Sequence, residues 1–157
     1  MSISPYVASL RKYVGHDLLL LPSVMGVVYD EKGRVLLVRQ KADALWSTPG
    51  GLIEPNETPA TAVVREVHEE TGLEVAVVRL LGAYGGPTFI VDYPNGDRSQ
   101  YVSIVFECGI RKGTPAPDGD ETDALTFAGP EELSSMKCQP WMHHVMPLLW
   151  RREPFVQ

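Results

Sequence analysis

Three glutamates in one short segment are the residues whose types and spacing could do chemistry. Glu66, Glu69 and Glu70 lie three and four residues apart between Pro59 and Thr71, a segment with the pattern of an amphipathic helix. At about 100° per residue they share one face of that helix. Like charges at these spacings destabilise a helix by about 0.2–0.5 kcal/mol per pair. A divalent cation between the carboxylates would offset this repulsion, and Mg²⁺ prefers oxygen ligands of this kind.

Clear start and stop signals bound this helix. Thr58 can cap the N-terminus because its hydroxyl accepts a backbone N–H, and Pro59 suits the first helical position. Gly72 supplies the left-handed residue that commonly follows a last turn. The glutamates are therefore expected on a short, well-defined helix rather than on a loop.

A helical wheel places the carboxylates beside the face that meets the core. Glu66 and Glu70 flank this face on one side, whereas Glu69 points further out. Arg65 lies one turn before Glu69, where it can orient that carboxylate. The acidic face is therefore expected at the edge of a cleft. The residues predicted to face the core are Ala60, Val63, Val64, Val67 and Thr71.

The segment from Gly51 to Leu73, which contains this helix, resembles the Nudix box, G-x5-E-x7-R-E-U-x-E-E-x-G-U with U apolar. Every specified position is matched, and so many fixed positions in order make a specific signal. The resemblance covers about residues 20 to 150. It implies an α/β (α+β) fold of the Nudix type, an α/β/α sandwich with a mixed sheet. The matched residues are Gly51, Glu57, Arg65, Glu66, Val67, Glu69, Glu70, Gly72 and Leu73.

The resemblance also implies a site for Mg²⁺ or Mn²⁺ on this helix. Such an ion would neutralise phosphate oxygens and lower the pKa of an attacking water. Glu57 and Arg65 resemble the supporting residues of the family, a further acid and an orienting cation. The implied metal ligands are Glu66, Glu69, Glu70 and the backbone carbonyl of Gly50.

An acid from a later loop often completes the site in this family or acts as its base. Glu121 is the predicted residue, because it lies in the acidic run DGDET just before a short strand. Asp120 is the weaker candidate. The predicted catalytic residues are thus Glu57, Arg65, Glu66, Glu69 and Glu121.

The resemblance implies hydrolysis of a nucleoside diphosphate joined to another group, whereas the substrate depends on residues outside the box. Pro87 lies about where the ADP-ribose branch often carries a proline, which favours ADP-ribose or a nucleotide sugar. Turn chemistry explains this proline equally well. A nucleoside triphosphate pyrophosphohydrolase with a house-cleaning role is the alternative.

Two hypotheses from other functional classes, an isomerase and a nucleotide-sensing domain, stay open. Isoprenoid diphosphate isomerases share the fold, but they usually need a catalytic cysteine, and neither Cys108 nor Cys138 is placed convincingly. A domain that senses a nucleotide without cleaving it usually lacks a box glutamate, and this chain keeps them all. An active hydrolase is therefore the favoured interpretation.

Three aromatic residues are candidates to bind the substrate by stacking on a nucleobase. Packing in the core or along a strand explains each of them at least as well. They are Trp46, Phe89 and Tyr101.

Length and composition indicate one domain over residues 1–157, with residues 1–16 as an N-terminal helical extension. The net charge of −6 and the lack of a basic run argue against a nucleic-acid polymer as partner. No apolar run approaches about eighteen residues and no leader pattern is present, which predicts no membrane span and a cytoplasmic location. The expected partner is a small nucleotide, and the apolar side of the extension could form a homodimer.

The remaining pattern predicts alternating strands and helices, with a loop at Ala42–Glu57 and an ambiguous stretch at Gly85–Asp92. Strands are predicted at Leu18–Leu21, Val24–Tyr29, Val35–Gln40, Glu74–Ala83, Tyr101–Cys108 and Leu125–Ala128. Helices are predicted at Pro5–Val14, Pro130–Met136 and Trp141–Trp150, the last interrupted by Pro147.

Overall fold

Four helices and nine strands make up the part of the chain that the computed structural model describes, residues 4–151 and 155–156. The helices are α1 (Pro5–Val14), α2 (Pro59–Thr71), α3 (Pro130–Leu133) and α4 (Met142–Arg151). The strands are β1 (Leu19–Val28), β2 (Val35–Gln40), β3 (Trp46–Ser47), β4 (Gly50–Leu52), β5 (Glu74–Tyr84), β6 (Ile90–Asp92), β7 (Arg98–Lys112), β8 (Thr122–Ala128) and β9 (Phe155–Val156).

The strands form two sheets. The larger has the order β4-β1-β7-β5-β9, with β6 also paired to β7, and the smaller has the order β3-β2-β8. β1 and β7 run parallel from the pair Leu19–Ser99 to the pair Val28–Cys108, whereas β5 pairs antiparallel with β7. The larger sheet is therefore mixed, as the fold prediction requires.

Two apolar clusters hold these layers together. The first joins α2 to one side of both sheets through residues such as Val24, Leu36 and Val67. The second joins α3 and α4 to the other side, where Met142, Val145, Met146 and Leu149 pack against strand residues. Helices therefore cover both sides of the strands, which is the predicted α/β/α sandwich.

α2 lies very close to β1, and a glycine makes this approach possible. A Cβ atom on Gly26 would overlap a methyl group of Val67 and press against Val63. The buried residues of α2 are Ala62, Val63, Val67, Glu70 and Thr71. The prediction that Ala60 faces the core was wrong, because the buried face lies slightly further round the helix and includes Glu70 itself.

Several elements differ in length from the predictions. The Ala42–Glu57 loop contains the short strands β3 and β4. They are too short to show the alternation of apolar and polar residues by which a strand is predicted. β1 is one continuous strand, and β7 extends beyond both predicted ends. The ambiguous Gly85–Asp92 stretch is a 3₁₀ turn followed by β6. Among the described residues, no helix has the length and apolar character needed to cross a membrane.

The N-terminal helix α1 has the predicted bounds. Ser4 caps it, and Gly15 follows its last turn with a φ of 59°. Val7 is buried against the rest of the protein, and Leu10 and Val14 are half-buried. The apolar side of this helix thus packs within the protomer. A homodimer formed through it remains a prediction.

Candidate active site

Arg65 is the centre of the hydrogen-bond network that gathers the box residues. Its Nε and Nη2 donate to the two carboxylate oxygens of Glu57 at 2.8 and 2.9 Å. Its Nη1 donates to Glu66 at 2.7 Å and to Glu69 at 3.0 Å. Its Nη2 also donates to the backbone carbonyl of Leu52 at 3.0 Å. One guanidinium therefore fixes three carboxylates and the end of β4, which fits its planar array of donors.

Glu57 belongs to the turn that precedes α2. Its Oε2 accepts the backbone N–H of Glu54 at 3.1 Å, and its own N–H donates to the Glu54 carbonyl. The hydrogen bond from Arg65, helped by the Glu54 N–H, lowers the pKa of Glu57 although partial burial opposes this. Glu57 is therefore a charged anchor for Arg65.

Glu66 lies against β4, and Gly51 makes room for it. A Cβ atom at Gly51 would collide with the Glu66 carboxylate. The Glu66 side chain is 14% exposed. Burial raises the pKa of Glu66, and the bond to Arg65 only partly opposes this effect.

Glu70 is the most deeply buried of the box glutamates, with 4% exposure. Its two oxygens accept the backbone N–H of Gly50 and the side-chain amide of Gln40, each at 2.9 Å. Burial raises the pKa of Glu70 to about 8, and the neighbouring charges of Glu66 and Glu121 add to the effect. Without a cation, burial therefore favours the protonated form of this carboxyl.

Glu69 differs from the other two, because its side chain is 56% exposed. Its contact with Arg65 is the i,i+4 pair predicted from the sequence. The bond uses only one of its two carboxylate oxygens, so the side chain can offer the other to a ligand.

A loop acid lies near the glutamates of α2, at the start of β8. The charge of Glu121 raises the pKa values of both Glu66 and Glu70, which indicates that the carboxylates face one site. The Oδ1 atom of Asp118 accepts the backbone N–H groups of Asp120, Glu121 and Thr122 at 2.9 to 3.0 Å. Partial burial opposes ionisation of Asp118, but these N–H groups hold its pKa below the usual value. Asp118 therefore fixes the backbone that carries Glu121.

Two supporting residues were not predicted from the sequence. Gln40 ends β2 and reaches Glu70, and Asp118 shapes the Glu121 loop. An Asx-type turn in DGDET is the signal that could have identified Asp118. The partner of Gln40 depends on how β2 lies across α2, and no local pattern contains that information.

The donor set fits a hard divalent cation in chemical type. The charge of Glu121 raises the pKa values of Glu66 and Glu70, and the charge of Glu66 raises that of Glu70 further, a repulsion that a cation would relieve. Among the described residues, no group of three His, Cys, Asp or Glu side chains is arranged to hold a metal ion. Arg65 Nη1 holds Glu66 and Glu69 together, but the trio does not form a complete set of metal ligands among the described residues.

The predicted aromatic residues all belong to the larger core cluster or pack against it. Phe89 is 3% exposed and stacks on Trp141, with ring centroids 6.0 Å apart. The Tyr101 hydroxyl bonds to that of Tyr93 at 2.5 Å. In Trp46, one ring face is covered by the Arg39 guanidinium, 5.8 Å from the ring centroid. These contacts support the packing interpretation, most strongly for Phe89.

Known proteins resemble this chain over most of its length. A NUDIX domain model matches residues 19–149. The chain is 35% identical over 107 residues to a putative 8-oxo-dGTP diphosphatase of Bacillus subtilis, a match covering 68% of this chain and 65% of the relative. It is 34% identical over 122 residues to an ADP-ribose pyrophosphatase of Methanocaldococcus jannaschii, covering 75% and 67% respectively.

A solved structure supports the fold. A crystal structure of a UDP-X diphosphatase superposes with a TM-score of 0.75, covering 100% of this chain and 76% of that chain, at 23% identity. At this identity the likeness concerns the fold alone. The NUDIX model, by contrast, spans most of the chain and contains the complete box. The protein therefore belongs to the NUDIX domain family and is a Nudix hydrolase, which confirms the family, the fold and the enzyme class predicted from the box.

Proposed function

We propose that this protein hydrolyses the diphosphate linkage of a nucleoside diphosphate derivative, with ADP-ribose or a nucleotide sugar as the favoured substrate. The observation that carries the proposal is the Arg65 network, which holds Glu57, Glu66 and Glu69 together beside the buried Glu70. A purely structural helix would gain nothing from concentrating these charges. A diphosphate and these carboxylates repel each other, so the substrate can bind here only with a cation between them. The carboxylates are suited to bind that cation.

The family resemblance and the contacts support the following roles. Glu66, Glu69 and Glu70 would hold Mg²⁺ or Mn²⁺ together with the Gly50 carbonyl, and Glu121 would act as the base or complete the site. Glu57 and Arg65 position the carboxylates. When bound, the metal would neutralise phosphate oxygens and lower the pKa of a water molecule. Glu121 would take the proton of the attacking water as general base.

The choice of substrate rests on weaker support than the choice of reaction. The name of the Methanocaldococcus jannaschii relative and the proline at position 87 favour ADP-ribose. The name of the Bacillus subtilis relative favours an oxidised nucleoside triphosphate, which is the second candidate. A cytoplasmic location and the absence of a nucleic-acid polymer partner are retained as predictions.

The deciding experiment is incubation of the purified protein with Mg²⁺ or Mn²⁺ and a substrate panel. The panel contains ADP-ribose, several nucleotide sugars, the common nucleoside triphosphates and 8-oxo-dGTP, with products separated by chromatography. A Glu69→Gln variant purified in parallel controls for contaminating hydrolases. We expect kcat/KM for ADP-ribose or a nucleotide sugar to exceed that for each triphosphate. The reverse ranking would select triphosphate clean-up, and no turnover of any compound would favour a nucleotide-sensing domain.

A further inference from the structure

The N-terminal helix lies outside the matched family region, yet it contacts the loop that carries the box residues. The NUDIX model begins at residue 19, whereas α1 ends at Val14. The Ser4 hydroxyl at the start of α1 donates to the Glu54 carboxylate at 3.0 Å. Glu54 lies in the turn between β4 and α2. This contact spans 50 residues of sequence and joins the extension directly to the box.

The far end of α1 is fixed by a second anchor. The Arg11 guanidinium donates to the Arg98 carbonyl at 2.6 Å and to the Ser99 hydroxyl at 3.1 Å. It also lies 3.6 Å from an oxygen of Asp97, and both side chains are nearly buried. These contacts attach α1 to the start of β7, a central strand of the larger sheet. The helix is therefore held at both ends and spans from the sheet to the box loop.

From Glu54 a continuous series of hydrogen bonds leads to the carboxylates of the site. The Glu54 backbone N–H donates to Glu57, which binds the Arg65 guanidinium through both oxygens. Arg65 in turn holds Glu66 and Glu69. A shift at Glu54 would therefore be passed to Arg65.

We propose that α1 is a positioning element for the active site, and that Ser4 acts through Glu54 and Glu57 to set the place of the Arg65 guanidinium. Ser4 and Glu54 are positioning residues, since neither is expected to touch the substrate. The kinetic part of this proposal rests on the proposed hydrolase function. The structural part, the ordering of residues 54–57 by Ser4, does not.

The test must separate this contact from the role of Ser4 as helix cap, because its Oγ also accepts the Val7 N–H. Ser4→Asp retains a good cap but places a second carboxylate against Glu54. Ser4→Thr retains both the cap and the donor. Ser9→Ala is the matched control, because Ser9 is exposed on the same helix. The measurements are kcat, KM, the melting temperature and hydrogen exchange in residues 54–57, read at the amides of Glu54, Asn56 and Glu57 because Pro55 has no N–H.

For Ser4→Asp we expect kcat to fall roughly three- to tenfold with KM within about twofold, since misplaced catalytic groups slow the chemical step. We also expect faster exchange at residues 54–57 with little change in melting temperature. Ser4→Thr and Ser9→Ala should match the wild type. Exchange at residues 54–57 in Ser4→Asp that equals the Ser9→Ala control would overturn the proposal, as would an unchanged kcat in an active enzyme. A wild type that turns over no substrate would refute the hydrolase function, while the exchange measurement would still decide the role of Ser4.

Discussion

The helix α2 and the loop from Asp118 to Thr122 both supply acids to the same site, but they place them by different means. In α2 the backbone period fixes the glutamates once Val63 and Val67 are buried. In the loop, one side chain does this work, because Asp118 accepts three consecutive backbone N–H groups around Glu121. The functional residues of a regular helix can therefore be predicted from their spacing in the sequence alone. The functional residues of a loop can be placed only when the hydrogen bonds that fix its backbone are known.

The largest expected effect is on the helix side of this comparison. Glu69→Gln should lower kcat roughly 10²-fold or more, because a neutral amide is a poor substitute for a charged ligand. The fold should survive, since this side chain is mostly exposed. Glu131→Gln, an exposed change on α3, is the matched control in steady-state kinetics at saturating Mg²⁺. A near-wild-type rate in Glu69→Gln would remove Glu69 from the catalytic set.

The corresponding change in the loop should have a somewhat smaller effect. Glu121→Gln should lower kcat roughly tenfold to a hundredfold and change KM much less, because a general base acts in the chemical step. The pH profile of kcat should lose its acidic limb if Glu121 is the base. If kcat is unchanged, the base lies elsewhere and the loop does not share the work of the helix.

The burial that fixes α2 can be tested through stability. Val67→Ala should lower the free energy of unfolding by about 1–2 kcal/mol, because two methyl groups leave a fully buried site against Gly26. Val64→Ala, at a half-buried position, should cost less. Chemical denaturation of both variants provides the comparison. Equal costs would mean that the helix does not depend on this face for its position.

The hydrogen bonds by which Asp118 shapes the loop should affect activity as well as stability. Asp118→Ala should lower kcat roughly three- to tenfold, because the backbone around Glu121 loses its acceptor. Glu131→Ala, which removes an exposed acid on α3 outside the site, is the control. The double variant Asp118→Ala/Glu121→Gln should be no slower than Glu121→Gln alone. Additive losses would show that Asp118 acts independently of Glu121.

A last expected effect is a pH dependence of stability that distinguishes the helix from the loop. Burial raises the pKa of Glu70 from the ordinary 4.5 to about 8, so its contribution to stability is lost as the pH rises between these values. Asp118 has a lowered pKa, so its contribution is present at higher pH and is lost in acid. With a chelator present, the melting temperature should fall by a few degrees between about pH 5 and pH 8.5. Glu70→Gln should flatten this trend, and an unchanged slope would contradict the assignment to Glu70.

The helix half of the site was predictable in detail, and the loop half only in part. The spacing of Glu66, Glu69 and Glu70 and the caps of α2 are local properties, so the pattern predicted them. The burial of Glu70 depends on the rotation of α2 against β1. That rotation is set by contacts such as Val67 with Gly26, which lie far apart in sequence.

The remaining differences have the same physical origin. Gln40 reaches the site because β2 passes beside the end of α2, which is a tertiary fact. The sequence leaves Phe89 open between stacking on a substrate and packing in the core, and in the structure its ring packs on Trp141. The residue type of an aromatic side chain does not determine which face of its ring is exposed to solvent. Packing between distant elements decides this.

Two hydrogen bonds join the loop to the last turn of α2. The Thr122 hydroxyl donates to the Glu70 carbonyl at 3.0 Å, and the Ala116 N–H donates to the Thr71 carbonyl at 2.9 Å. Both satisfy carbonyls that a helix end leaves without partners. Residues 117–121 are thus attached at both ends to the last turn of α2. The length of this segment therefore limits how far Glu121 can move. A single inserted residue would add about 3.6 Å of slack, enough to carry that carboxylate out of hydrogen-bonding range, so tolerance to insertion should be lower here than at an ordinary surface loop.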